Sequence, residues 1–247
     1  MVESVGLDEA FMDVTQSPHG FPEQIAREIK RRIKREIGLT AFVGVGPNKL
    51  LAKIASDLNK PDGLAVIRDN DAAKILAELP TSKLWGVGKK TEKRLRKLGI
   101  ETIGQLASAL LDDLISAFGE KWGMALHEHA RGMDESPVIP FHEPKSMGRE
   151  LTYQRDTANL DVIKRTLFRL VEQTVGEMNR RGYRARTIAL KLRTSDFTTT
   201  TRADTLQEPT ASLKTIWQKA LKMLSGYSME KKLHLVGIRV SNLEKVR

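Results

Sequence analysis

The feature that most constrains the fold of this 247-residue chain is a strict alternation of polar and apolar side chains between residues 186 and 194. Ile188, Leu190 and Leu192 point to one side of an extended backbone, while Lys191 and Arg193 point to the other. Further strands are predicted at about 147–155, 198–206 and 233–240, and helices at 160–181 and 210–224. This βαββαβ order predicts a small sheet with two helices on one face and an open face that carries Lys and Thr.

The start of the chain has a different organisation. A helix is predicted at 21–38, since apolar residues recur there at every fourth position, and a short strand is predicted at 40–46. Pro47 is predicted to open the next helix, and a strand at 64–67 follows a turn. The buried face of that second helix is predicted from its apolar residues, which are Leu50, Leu51, Ile54, Ala55 and Leu58.

The middle of the chain is helical in periodicity from about 71 to 134, in short pieces that are broken by glycines. Residues 135–145 contain three prolines and little periodicity, which is typical of a linker. We therefore expect an α+β multidomain chain with boundaries at 1–68, 69–138, a linker at 139–144, and 145–247.

Charge is distributed unequally along the chain. Residues 1–144 contain 20 Lys and Arg against 21 Asp and Glu, whereas residues 145–247 contain 21 against 10. The C-terminal part therefore carries the whole excess of the net charge of +10. A basic module beside a neutral one suggests that it binds a polyanion, although a generically basic soluble domain is the alternative.

Composition excludes several classes of function. No apolar run is long enough for a membrane span, and no secretory signal is visible at the start. The chain has no cysteine, which excludes disulfides and thiolate chemistry and is compatible with a reducing cytoplasm. Histidine is scarce and scattered, so a zinc site is not expected.

Two adjacent carboxylates, Asp8 and Glu9, precede an apolar run at 10–14. The pattern predicts a turn or strand end that delivers both carboxylates beside a buried strand. Oxygen ligands of this kind suit Mg²⁺, which takes few protein ligands and leaves room for substrate phosphates. The alternative is a solvated surface pair, which is common in proteins.

A Gly-x-Gly hairpin at Gly86 and Gly88 is followed by Lys89, Lys90 and a Lys-rich helix. Glycines before a helix N-terminus allow backbone N–H groups to approach a phosphate. The pattern is that of a helix-hairpin-helix, which binds the sugar-phosphate backbone and does not read bases. A plain turn between two helices is the alternative.

The segment 44–63, with the sequence GVGPNKLLAKIASDLNKPDG, resembles the block that follows the acidic pair in Y-family translesion DNA polymerases, in the branch that contains bacterial DNA polymerase IV. The preceding run 6–11, GLDEAF, resembles that family's Ser-Ile-Asp-Glu-Ala-Phe. The resemblance covers essentially the whole chain. It implies the rear of a palm domain at 1–68, a helix-hairpin-helix thumb at 69–138 and a little finger at 145–247.

The resemblance also implies roles for individual residues. Asp8 and Glu9 would help to hold two Mg²⁺ ions, and Lys60 would reach the triphosphate of the incoming nucleotide, although it could equally be an ordinary turn lysine. Asn48 and Lys49 are weaker candidates, as is Lys53, whose alternative is an extended surface side chain. The candidates for DNA phosphate contacts in the little finger are Arg149, Arg155, Arg184, Arg186, Lys191, Arg193 and Arg202. The alternation favours Lys191 and Arg193.

The chain departs from the family because it lacks the segment before the acidic pair that supplies a third carboxylate and the fingers. We therefore expect a fragment of a translesion polymerase that binds primer–template DNA but does not polymerise alone. The expected partners are DNA and dNTP, with a sliding clamp for the full-length parent, no membrane, and a monomeric state. Two alternatives remain open. One is a non-catalytic DNA-binding module with an incidental acidic pair, and the other is a basic scaffold or RNA-binding protein that uses the same hairpin.

Overall fold

The computed structural model describes residues 1–228 and 230–246. The chain divides into two compact units, Met1–Phe141 and His142–Arg247. Within the described residues, no helix combines the length and the apolar character that crossing a membrane requires.

The first unit opens with two pairs of short strands. Strands β1 (Val2–Ser4) and β2 (Ala10–Met12) form an antiparallel hairpin, and strands β3 (Val43–Val45) and β4 (Leu64–Val66) pair in parallel. A parallel pair needs a crossover connection, and helix α2 (Lys49–Leu58) provides it. Helix α1 (Pro22–Ile37) precedes β3 and ends at Gly38, which adopts a left-handed conformation with φ 77°.

The structure corrects three expectations about this region. Helix α2 begins at Lys49 and not at Pro47, because the Asn48 side chain accepts a hydrogen bond from Leu51 N at 2.9 Å and caps the helix. Leu58, expected on the buried face, is 37% exposed at the last turn. Strand β2, expected to be buried, exposes Ala10 and Met12 and only half-buries Phe11.

The rest of the first unit is helical, as predicted. It contains a 3-10 turn at Thr81–Lys83 and five helices, which are α3 (Asp69–Glu78), α4 (Lys89–Lys97), α5 (Ile103–Ser108), α6 (Leu111–Phe118) and α7 (Glu120–Ala130). Leu76, Leu95 and Leu126 from these helices lie in one continuous core with Leu51 and Ile54 of α2. The α/β part and the helical part of this unit therefore share a core.

The segment after α7 is hydrogen-bonded to the start of α2 and to β1. Asp134 accepts a hydrogen bond from Leu50 N at 3.0 Å, and Gly132 O accepts one from Asn48 Nδ2 at 2.8 Å. Further along, Ile139 N donates to Glu3 Oε2 at 2.9 Å. Residues up to 139 are therefore part of the packed first unit.

The second unit has the predicted βαββαβ order. Its elements are β5 (Ser146–Thr157), α8 (Leu160–Arg180), β6 (Tyr183–Thr194), β7 (Thr199–Thr210), α9 (Leu213–Ser225) and β8 (Leu233–Lys245). The strands form one antiparallel sheet in the order β5-β8-β6-β7. Ile188, Leu190 and Leu192 are buried with the apolar sides of α8 and α9, so the predicted alternation is confirmed.

Candidate functional site

The two adjacent carboxylates lie in the turn of the β1–β2 hairpin. Val5 N and Gly6 N both donate hydrogen bonds to Glu9 O, at 2.9 and 3.4 Å, and these bonds close the turn. Asp8 and Glu9 are exposed as a result. The side of the hairpin that faces the unit is formed by Phe11, whose ring lies 5.4 Å from that of Trp85. The hairpin thus holds both carboxylates in a position that a ligand from solvent can reach.

A chain of alternating charges connects Glu9 with Lys60. Lys53 Nζ lies 2.7 Å from Glu9 Oε1 and 4.0 Å from Asp57 Oδ2. Lys60 Nζ lies 2.6 Å from Asp57 Oδ1 and 4.1 Å from the centre of the Phe42 ring. The structure therefore links the predicted acidic pair to the predicted nucleotide lysine through two side chains of α2.

A second ion pair supports the hairpin from its inner side. Lys49 Nζ lies 2.8 Å from Glu3 Oε2, and both side chains are about one-tenth exposed. Lys49 also lies 5.2 Å from the Phe11 ring and donates to Pro137 O at 3.2 Å. These contacts give Lys49 a structural role beneath the carboxylates. Sequence reasoning missed Glu3 and Asp57, because their partners lie far along the chain or are read as ordinary helix charges.

The carboxylates of the turn are oxygen ligands of the kind that Mg²⁺ prefers. Among residues 1–228 and 230–246, no three or more His, Cys, Asp or Glu side chains are grouped so that they could hold a metal ion. Asp8 and Glu9 supply oxygen ligands only, which fits the mode in which Mg²⁺ takes one or two carboxylates together with substrate phosphates. They do not form a closed protein cage.

The glycine hairpin before α4 is built from two glycines with different constraints. Gly86 has φ 90°, and a Cβ at this position would lie 2.7 Å from the Trp122 ring. Gly88 caps α4, and a Cβ there would meet no atom within 4 Å. Since space is open beside Gly88, an anion could approach the N–H groups of the first turn, where Lys89 and Lys90 are exposed.

The open face of the second unit carries three cations in adjacent rows of the sheet. Lys191 lies opposite Gly237 and Thr201, and Arg193 lies opposite Leu235 and Thr199. Arg239, which sequence reasoning missed, lies opposite Gly148 and Ala189. The signal that could have found Arg239 is the continuation of the alternation into the last strand, where it lies between the buried Ile238 and Val240.

These cations are held by polar neighbours on the same face. Lys191 Nζ lies 2.7 Å from Glu150 Oε2, and Arg193 Nε donates to Thr199 Oγ1 at 2.9 Å. Arg239 donates to Ser146 Oγ at 2.7 Å. Gly148 and Gly237 lie in the same rows and add no side chain to this face. A sheet face that carries several cations is suited to contact with a phosphate backbone.

Two other predicted cations of this unit lie on the opposite side of the sheet. Arg149 and Arg202 are in register with Ile238 and Leu190, which are core residues, so both start on the helix-covered side of the sheet. Arg202 lies 5.7 Å from the Tyr227 ring on that side.

Three more predicted cations lie near a strand end or a register shift. Arg155 is located in the register shift between Thr152 and Thr157, where no partner residue fixes its face. Arg184 lies between the buried Tyr183 and Ala185, so it is on the open face at the start of β6, opposite Glu244. Arg186 forms an ion pair with Glu244 at 2.5 Å beside a shift in β6.

Comparison with protein families matches three parts of the chain. Residues 1–57 match the impB/mucB/samB family, residues 144–247 match the C-terminal domain of that family, and residues 82–134 match the DNA polymerase-iota thumb domain. The matched segments contain the acidic turn, the open sheet face and the glycine hairpin, respectively.

Curated relatives match nearly the full chain. The chain is 39% identical to DNA polymerase IV of Methanoculleus marisnigri, over 98% of this chain and 68% of the relative. It is 40% identical to DNA polymerase IV of Akkermansia muciniphila with the same coverage, and 37% identical to that of Listeria monocytogenes over 100% of this chain and 70% of the relative.

Solved structures of Y-family DNA polymerases have a similar fold. A Y-family DNA polymerase chimera of Dbh and Dpo4 superposes with a TM-score of 0.86 at 27% identity, covering 100% of this chain and 72% of the chimera. An insertion ternary complex of Dbh DNA polymerase superposes with a TM-score of 0.62 at 26% identity, with the same coverage. By identity, coverage and fold, this chain belongs to the Y-family of DNA polymerases, in the branch of DNA polymerase IV.

Proposed function

We propose that this chain carries the acidic pair, the thumb and the little finger of an error-prone translesion DNA polymerase, which adds dNTPs to a primer 3′-hydroxyl. The proposed regions are part of the palm at 1–68, the thumb at 69–138, the linker at 139–144 and the little finger at 145–247. The observation that carries the proposal is the chain of ion pairs that joins Glu9, Lys53, Asp57 and Lys60 beside an exposed acidic turn.

In this proposal, Asp8 and Glu9 would hold magnesium together with the substrate phosphates. Two bound magnesium ions would supply a lower pKa of the primer hydroxyl and a clamp on the attacking and leaving oxygens. The Lys53 ammonium pairs with Glu9 and neutralises the charge of that carboxylate until the ammonium is displaced by a magnesium ion. Lys60, which Asp57 and the Phe42 ring hold in position, presents a positive charge to the triphosphate.

DNA would be bound through its backbone. The exposed amide end of α4 beside Gly88, with Lys89 and Lys90, suits one strand, and the open sheet face with Lys191, Arg193 and Arg239 suits phosphates along a duplex. Such contacts position DNA without reading its sequence, which a polymerase that copies any template requires.

The second candidate function is a non-catalytic DNA-binding module. It is favoured by one observation, which is that the described residues hold no group of three or more acidic or histidine side chains around the turn. The same observation leads us to expect that the 247-residue chain binds primer–template DNA but does not extend a primer alone.

A graft tests the proposed function. The chain replaces the matching residues of the Methanoculleus marisnigri polymerase, of which it spans 68%. We expect the grafted protein to extend a primer with Mg²⁺ and dNTPs, while the chain alone shifts the same DNA in a gel without extension. A correctly folded graft that binds DNA but never extends a primer would favour the non-catalytic module. Extension by the chain alone would contradict our account of its carboxylates.

The open sheet face gives a prediction for DNA affinity. Replacing Lys191 or Arg193 by Ala should lower the slope of log K against log salt by about one unit, because each removes one phosphate contact. The effect should be similar for all DNA sequences. Fluorescence anisotropy across a salt series measures the slope. Arg202→Ala is the matched control, since Arg202 lies on the helix-covered side and should leave the slope unchanged. If Lys191→Ala and Arg193→Ala both keep the wild-type slope, as Arg202→Ala should, this face is not part of the DNA interface.

A further inference from the structure

The turn between β6 and β7 presents an aromatic side chain in an unusual backbone conformation. Phe197 has φ 63°, in the left-handed region that Gly or Asn adopts at much lower cost than a bulky residue. The residue is 67% exposed, so burial of the ring offsets little of that cost. The folding of the turn therefore does not explain why a phenylalanine is present, which points to a role outside the fold.

The residues on either side of Phe197 are held in place by hydrogen bonds. Thr194 N donates to Thr198 O at 3.0 Å, and Phe197 N donates to Thr194 O at 2.9 Å. Asp196 accepts hydrogen bonds from the Thr194 hydroxyl at 2.5 Å and from Lys231 Nζ at 2.6 Å. These donors, Lys231 first, lower the pKa of Asp196, so its carboxylate stays charged at neutral pH. The hydrogen bonds of the turn therefore hold the Phe197 ring in a fixed position.

Cations and carboxylates both lie near the ring, and the cations continue those at the end of the open sheet face. Arg193 and Thr199 form the last paired row of β6 and β7 before the turn. Lys231 and Lys232 are exposed on the neighbouring segment, whose Lys232 O accepts a hydrogen bond from Ser195 N. The His234 ring lies 4.9 Å from the Phe197 ring and is bonded to Asp156 at 2.8 Å.

We propose that Phe197 is a stacking site for an unpaired nucleobase of a nucleic acid whose phosphates lie on the open face of the same unit. The inference rests on the DNA binding of the proposed function and adds a contact to single-stranded nucleotides. An exposed ring at the end of a row of cations matches a ligand that combines an anionic backbone with planar bases. Stacking accepts every base, so this contact would not make the protein sequence-specific.

The test compares two DNA substrates with the 247-residue chain. One is a blunt duplex, and the other is the same duplex with a single-stranded tail of roughly six nucleotides, within the length that such sites cover. Wild-type protein should bind the tailed duplex roughly tenfold more tightly than the blunt one, since one stacked base accounts for a difference of that order. A 2-aminopurine in the tail should change its fluorescence on binding.

Two variants of Phe197 separate stacking from folding. Phe197→Asn suits the left-handed conformation and should keep the fold or stabilise it, while it abolishes the preference for the tail and the 2-aminopurine signal. Phe197→Trp should retain both. Lys191→Ala is the matched control on the open face and should weaken both substrates equally.

The outcomes separate this inference from the proposed function. A Phe197→Asn variant that keeps the tail preference overturns the stacking site, and so does an equal loss on both substrates. An unchanged DNA affinity together with loss of binding to a protein partner would also overturn it. If the wild-type chain binds neither DNA, the proposed function fails as well.

Discussion

Replacing Asp8 by Ala should lower primer extension by the grafted polymerase about a hundredfold or more, because a ligand that contributes several kcal/mol of charge stabilisation is removed. Asp8 lies in an exposed turn, and the hairpin is closed by backbone hydrogen bonds from Val5 and Gly6 to Glu9 O. The loss should therefore appear in the rate of extension and leave thermal unfolding and DNA affinity near their wild-type values.

Asp13→Ala is the matched control for this experiment. Asp13 follows the same hairpin, is exposed, and accepts a hydrogen bond from Thr15 N at 2.9 Å. That bond lowers the pKa of Asp13, so its carboxylate is ionised at neutral pH. The control removes one negative charge from nearby without touching the turn. If both variants retain wild-type extension, the acidic pair is an incidental surface feature and the non-catalytic module is the better account.

Gly44→Ala should destabilise the first unit by about 3 kcal/mol or more, at the upper end of the cost of overpacking. A Cβ on Gly44 would lie 2.0 Å from Ala52 O and 2.3 Å from Ser56 N, which are backbone atoms of α2. The helix would have to move away from β3, since backbone atoms cannot rotate aside as a side chain can. The expected fall in melting temperature of this unit is about 10 °C.

Differential scanning calorimetry measures the effect, with Gly88→Ala as the control. Gly88 has φ −87° and open space at its Cβ position, so its replacement should lower the stability of the unit far less than Gly44→Ala, through the poorer N-cap alone. A melting temperature for Gly44→Ala close to that of the wild type would mean that α2 packs against β3 less closely than the structure has it. Because α2 carries Lys53, a shifted helix should also loosen the contact with Glu9.

The sequence predicted the parts of the fold that local periodicity determines. The alternation at Ile188, Leu190 and Leu192 fixed both the strand and its buried face, and the apolar spacing of α2 identified Leu50, Leu51, Ile54 and Ala55 correctly. It failed at Leu58, because the end of a helix can extend beyond the core that its middle covers. It also failed for the exposure of β2, since three residues are too few to reveal which face is covered.

The candidate site was harder to predict, because its contacts join distant residues. Lys53 pairs with Glu9 across 44 positions, and Lys49 pairs with Glu3 across 46. No local sequence pattern predicts ion pairs between residues so far apart. Arg149 and Arg202 were expected to face phosphates, but their face depends on the register with a neighbouring strand. The sliding-clamp partner, the monomeric state and the cytoplasmic location stay predictions from the sequence.

The core that α2 shares with the helices after it has a consequence for how the first unit unfolds. Since Leu51 and Ile54 pack with Leu95 and Leu126, neither part can open without exposing apolar surface of the other. Amide hydrogens of α2 and α7 should therefore exchange with solvent in one cooperative opening, as members of a single foldon. A segment that begins after residue 68 would lose this partner helix, so the glycine hairpin is not expected to survive as an independent module.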